Sequence, residues 1–145
     1  MGKLTISKEH YLKAVYELFP EGGGVRISDI AAKLNVTKAS SCIAMKNLEQ
    51  KRMIYRDAGR LVFLTKEGEY QAVLVLDKVA IIRKFLTDVL GIRHEIADAD
   101  ACAIVHVVSV ETLCSLCRFT NRKCPGSCHM KTDTSPNRLI NSYLL

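Results

Sequence analysis

The most restrictive stretch of this sequence runs from Ser28 to Leu64. Residues 28–34 read as a short helix, Asn35-Val36 as a turn, and Thr37 as the cap of a further helix reaching Lys51 or Arg52. Two short helices joined by so tight a turn make a helix-turn-helix pattern. Two extended runs follow, Met53–Arg56 and Leu61–Leu64, separated by Asp57-Ala58-Gly59-Arg60. Gly59 permits a tight turn, so the pair reads as a β-hairpin. Ahead of all this, Tyr11, Leu12, Val15, Leu18 and Phe19 recur at helical spacing. Ser7 can cap that helix, and Pro20 with Gly22-Gly23-Gly24 ends it. Three helices followed by a basic-tipped hairpin make a winged helix.

Beyond the hairpin the pattern changes. Thr65 can cap a long helix from Lys66 to Leu90, stopped by Gly91. Its apolar positions include Val73, Leu76, Val79, Ala80, Ile82, Phe85, Leu86, Val89 and Leu90, which cover more than one narrow stripe. A head of this size leaves part of that surface bare, so a second subunit and the chain's own later helices are expected to cover it. A further helix is expected from about Ala97 to about Cys117. A cysteine-rich loop with Pro125 and Gly126 comes next, then a polar tail from Lys131 that ends in an apolar patch. The expected architecture is mainly α. An N-terminal winged helix-turn-helix domain occupies residues 1–65, a helical dimerisation and metal-binding domain 66–130, and a tail 131–145.

Charge separates the two halves. Residues 1–66 carry 12 Lys and Arg against 6 Asp and Glu, whereas the remainder carries 9 of each. The whole excess of +6 therefore lies on the first half, which suits contact with a polyanion. A merely basic, solvated surface gives the same count. No apolar run reaches the roughly 18 residues that span a bilayer, and no signal-peptide stretch opens the chain. A soluble, cytoplasmic protein without membrane contact is expected. No nucleotide-binding loop, nucleophile–base pair or open zinc site with a general base is visible, so an enzyme is not expected.

A helix that enters the major groove needs small and polar residues at its N-terminal end. Thr37, Lys38, Ala39, Ser40, Ser41 and Cys42 fit, with Lys46 a turn further on. Arg26, Arg56 and Arg60 are the candidate phosphate contacts around them. A capped helix with solvated serines and a packed cysteine fits the same residues.

Two groups of residues have metal-ligand chemistry. Asp98, Cys102 and His106 fall at i, i+4 and i+8 on one expected helix, so carboxylate, thiolate and imidazole share a stripe. His10 completes a site if its helix packs there. A buried cysteine and a hydrogen-bonded histidine explain this spacing equally well. The second group is Cys114-x2-Cys117 followed by Cys124-x3-Cys128-His129. Four thiolates and an imidazole from a short segment suit tetrahedral zinc or an iron–sulfur cluster, and redox-paired thiols are the alternative. In a chain without an export signal, structural disulfides are not expected.

The sequence resembles the diphtheria-toxin-repressor family of iron- and manganese-dependent transcriptional repressors, from residue 4 to about 112. The resemblance rests on Leu4-Thr-x-Ser-x-Glu-x-Tyr-Leu-Lys-Ala-Val-Tyr-Glu-Leu18, Val25-Arg-x-Ser-Asp-Ile-Ala31 and Leu34-x-Val-Thr-Lys-Ala-Ser-Ser41. Leu64-Thr-x-Glu-Gly68, Phe85-Leu-Thr-Asp-Val-Leu-Gly91 and Asp100-Ala-Cys-x-x-x-His106 follow in order. It implies a homodimer on a palindromic operator in double-stranded DNA, with metal tightening the DNA-bound form. The family's principal metal ligands fall at His10, Cys102, Val105 and His106, and its additional ones on the long helix at Val79 and Arg83. Valine and arginine are not ligands. Fewer carboxylates and more cysteines suit zinc or an iron–sulfur cluster better than manganese. A thiol-redox or iron–sulfur-sensing regulator of the same fold is the alternative function.

Overall fold

The computed structural model describes residues 6–19 and 24–120. They form α1 (Ile6–Glu17), α2 (Ile27–Leu34), α3 (Lys38–Gln50), β1 (Ile54–Arg56), β2 (Val62–Leu64), α4 (Lys66–Asp88), α5 (His94–Ile104) and α6 (Val110–Thr120). The chain divides into two units between Val73 and Leu74, inside α4. No described helix is long and apolar enough to cross a membrane.

The first unit is a winged helix. Leu12, Val15, Ile30, Met45, Leu48, Ile54 and Val62 form a core with accessibilities of 0–2%. The turn between α2 and α3 is made by Asn35, which sits in the left-handed region at φ 52°. Asparagine tolerates that conformation better than most residues. Thr37 starts α3: its side-chain oxygen accepts the Ser40 amide at 3.1 Å. Thr37→Ala should cost about 1 kcal/mol of stability, read as a lower urea midpoint. An unchanged midpoint would show that the cap is redundant.

β1 and β2 pair antiparallel in the register Ile54↔Leu64, Tyr55↔Phe63 and Arg56↔Val62. A hairpin this short is marginal alone, and three contacts support it. Val25 bridges to Val62. Phe63 stacks on Tyr55 at 5.1 Å and meets Phe19 edge-on at 6.1 Å. The turn differs from expectation in one detail. Its left-handed residue is Arg60, at φ 61°, and not Gly59. The Asp57 carboxylate accepts the Leu61 amide at 2.8 Å, an Asx-type closure that holds the turn and leaves Arg60 with the positive φ.

Two helix starts also differ. α1 begins at Ile6, which places Ser7 within the first turn and not ahead of it. Pro20, Gly22 and Gly23 lie outside the described residues. The expected single helix from Ala97 to Cys117 is two helices, α5 and α6. Val105, Val107 and Val108 interrupt it with β-branched side chains, which lose rotamer freedom in a helix. Ser109 then starts α6 afresh: its hydroxyl accepts the Thr112 amide at 3.2 Å and its carbonyl the Leu113 amide at 3.0 Å.

The second unit has its own core. Val75, Val79, Ile81, Ile82 and Leu86 of α4 pack with Ala97 and Ala101 of α5, Val105 after it, and Leu113 of α6. α4 ends before Gly91, which adopts φ 66°. Val105 and Val79, where the family resemblance places ligands, are core residues here.

Candidate functional site

Helical periodicity divides the front of α3 into two faces. Ser41, Ala44, Met45 and Leu48 point into the core. Lys38, Ala39, Ser40, Cys42, Ile43 and Lys46 are exposed. Ser41 therefore corrects the expectation of a DNA-facing residue, because its side chain is 0% exposed and its hydroxyl has no hydrogen-bond partner. Ile43 was missed, although it is 65% exposed and one turn beyond Ala39. Stepping by three and four from Ala39 would have found it. Thr37 and Ser40 are exposed, but the Thr37 hydroxyl donates to the Ser40 hydroxyl at 2.8 Å.

A groove of about 940 Å³ lies between α3 and the wing. Arg26, Lys38, Arg56 and Arg60 bring four cations to its lining, and Cys42 and Glu49 also line it. The cations are not equivalent. The Arg56 Nε donates to Glu49 Oε2 at 3.0 Å, and an Arg56 Nη donates to the same oxygen. This hydrogen-bonded pair holds the Glu49 carboxyl below the usual carboxylate range and raises the Arg56 guanidinium. Both side chains are about one-third exposed, so the pair adds only about 0.2–1 kcal/mol to stability. Its larger effect is on where the charge of Arg56 is spent.

In the second unit, Cys102 lies on α5 and His106 in the turn that follows, one helical turn on; both are half-buried. They supply a thiolate and an imidazole, donor types that suit zinc and iron. Asp98 lies a turn earlier and is exposed, but its carboxylate is engaged by Arg83 at 3.2 Å. His10 is half-buried on α1 of the first unit. Among the described residues, no group of three or more His, Cys, Asp or Glu is placed to hold a metal ion. Cys102 and His106 thus fit part of a transition-metal site, and the donor set is completed by other groups if metal binds.

Cys114 and Cys117 lie one turn apart on α6, within the stretch that was expected to be helical. Cys114 is buried and disulfide-bonded, contrary to the expectation of no structural disulfide. Cys42, Cys102 and Cys117 are not in disulfides. Cys124, Cys128 and His129 lie outside the described residues, as does the tail from Lys131.

Comparison with known proteins bears on both halves. Residues 3–54 match the N-terminal DNA binding domain of iron dependent repressors. Residues 65–130 match the iron dependent repressor metal binding and dimerisation domain. The transcriptional regulator MntR of Escherichia coli O6:H1 is 36% identical over 114 residues, covering 79% of this chain and 73% of MntR. The iron-dependent repressor IdeR of Mycobacterium bovis is 27% identical over 83% of this chain. The solved manganese regulator SloR superposes with a TM-score of 0.71 at 28% identity over 81% of this chain. The chain spans about half the length of these last two, 53% of IdeR and 55% of SloR. None of these relatives is described as an iron–sulfur or thiol-redox sensor. With the winged helix in the first unit and the matched metal-binding region in the second, the chain belongs to the diphtheria-toxin-repressor family of metal-dependent transcriptional repressors.

Proposed function

We propose that this protein represses transcription by binding a palindromic operator in double-stranded DNA as a homodimer, with a bound transition-metal ion tightening the complex. The observation that carries the DNA contact is the exposed front of α3 beside a groove lined by four cations. Lys38, Ala39, Ser40, Cys42, Ile43 and Lys46 would face base edges in the major groove, with Thr37 at its rim. Arg26 and Arg60 would hold phosphates. Exposed Leu90, Ile96, Val107 and Phe119 in the second unit supply apolar surface for a subunit interface.

Cys102 and His106 would hold the metal. The ion would supply fixed positive charge and a cross-link between its donors. Zinc or iron(II) suits this thiolate–imidazole set better than manganese does. Asp98 is a candidate only if it leaves Arg83. The cysteines beyond α5 are a second candidate site, with Cys114, Cys117, Cys124, Cys128 and His129 as its donors and reduction of the Cys114 disulfide as a precondition.

The test is operator selection from a random duplex pool, with and without added zinc, iron(II) or manganese. Enrichment of a palindrome only in the presence of metal supports the proposal, and metal-independent enrichment removes the metal from it. Cys102→Ala and His106→Ala should each weaken metal binding, measured by chelator competition, by at least about tenfold, since losing even an outer-sphere partner costs that much. Unaltered metal affinity in both variants would place the ion elsewhere.

A further inference from the structure

We propose that Glu49 is a charge-silencing residue in the DNA groove, which withholds Arg56 from the phosphates and so limits attraction to DNA of any sequence. The inference rests on the DNA-binding reading above and deepens it.

Three observations support it. Glu49 lies within the lining of the groove, where an acidic side chain opposes a polyanion. Its carboxylate is aimed at one cation, Arg56, through two donors of the same guanidinium. The other acid in the groove, Asp57, is accounted for by the wing turn, where it accepts the Leu61 amide at 2.8 Å. Glu49 has no comparable local task. Its position on the last turn of α3 adds nothing to that helix, because an acidic side chain near a helix C-terminus is disfavoured by the macrodipole.

The consequence is quantitative. Each cation that neutralises a phosphate releases counterions and steepens the salt dependence of binding by about 0.9 in the log–log slope. That attraction is blind to sequence, so it strengthens operator and non-operator DNA alike. Arg56 sits at the end of β1, at the root of the wing and in the same groove as Arg26, Lys38 and Arg60. Released from Glu49, its charge would join theirs. Held by Glu49, it anchors the wing to α3 and leaves discrimination to the exposed face of that helix. Such a repulsive element is a recognised route to specificity.

The experiment measures binding to a short random-sequence duplex across salt concentrations, using the full chain. Glu49→Gln should steepen the slope by about 0.9 per protomer and tighten binding at low salt. Arg56→Gln should leave the slope unchanged. Arg60→Gln should make it shallower by about 0.9 per protomer. The double variant Glu49→Gln with Arg56→Gln should return to the wild-type slope, and melting curves of all four proteins establish that they are folded. A clamp with only a structural role would weaken binding when broken and leave the slope of Glu49→Gln at the wild-type value. An unchanged slope in Glu49→Gln, or a loss in Arg56→Gln equal to that in Arg60→Gln, overturns the proposal while DNA binding stands. A wild-type protein that binds no DNA overturns both.

Discussion

Gly68→Ala should destabilise the first unit by about 3 kcal/mol or more, although alanine is the better helix former by up to about 1 kcal/mol. Gly68 is buried in the first turn of α4. A Cβ built there would lie 1.8 Å from the Met53 carbonyl oxygen and 2.8 Å from its carbon. That oxygen cannot withdraw cheaply, because it accepts the Thr65 amide at 3.0 Å, and the Thr65 hydroxyl donates to the Arg52 carbonyl one residue earlier at 2.7 Å. The Thr65 hydroxyl also accepts the Gly68 amide at 3.1 Å, so the start of α4 is locked to the segment before β1. Overpacking against fixed backbone therefore outweighs the propensity gain. Since whole domains are held by only about 5–15 kcal/mol, a urea titration followed by circular dichroism should show a clearly lowered midpoint. A midpoint equal to or above wild type would mean that this contact opens without cost.

The second large effect concerns Asp77, which is 4% exposed on α4 and has a carboxylate oxygen with no hydrogen-bond partner. Burial disfavours its charged form and pushes its pKa up to about 6 from 3.8. Because the folded pKa is the higher, the folded state holds the proton more tightly. Asp77 is therefore best tolerated in acid, and stability falls as pH rises from 3.8 through about 6. Above that window the buried carboxylate costs about 3 kcal/mol. Asp77→Asn removes the charge, so it should raise the melting temperature near neutral pH and lose that advantage toward pH 4. A constant difference between variant and wild type across the range would show that the carboxylate is neutral or solvated throughout.

The two sites were legible in the sequence to different degrees. The front of α3 could be found because a cap, a short helix and a turn are local signals, and Thr37 and Asn35 do in the structure what their chemistry suggests. Within it, composition alone makes one polar block of residues 37–42, and only the helical phase set by Met45 and Leu48 turns Ser41 inward. The metal residues were harder. Asp98, Cys102 and His106 share a spacing, yet spacing does not reveal that Asp98 is held by Arg83, fifteen residues earlier in the chain. Nor does it reveal that α5 ends at Ile104, two residues short of His106.

What the sequence alone determined is whatever depends on near neighbours: the helix-turn-helix and hairpin order, the long fourth helix, the basic first half, and the family to which these motifs belong. Periodicity, caps and charge counts act over a few residues, so they can be read without coordinates. Only the tertiary structure decided which charges remain available and which groups are dry. Glu49 meets Arg56 because α3 runs back against β1, and Gly68 meets Met53 because α4 starts beneath that strand. Asp77, flanked by Leu76 and Lys78, carries no mark of its burial in the sequence. Such pairings are set by packing between elements, where a side chain's energy depends on neighbours that local sequence does not name.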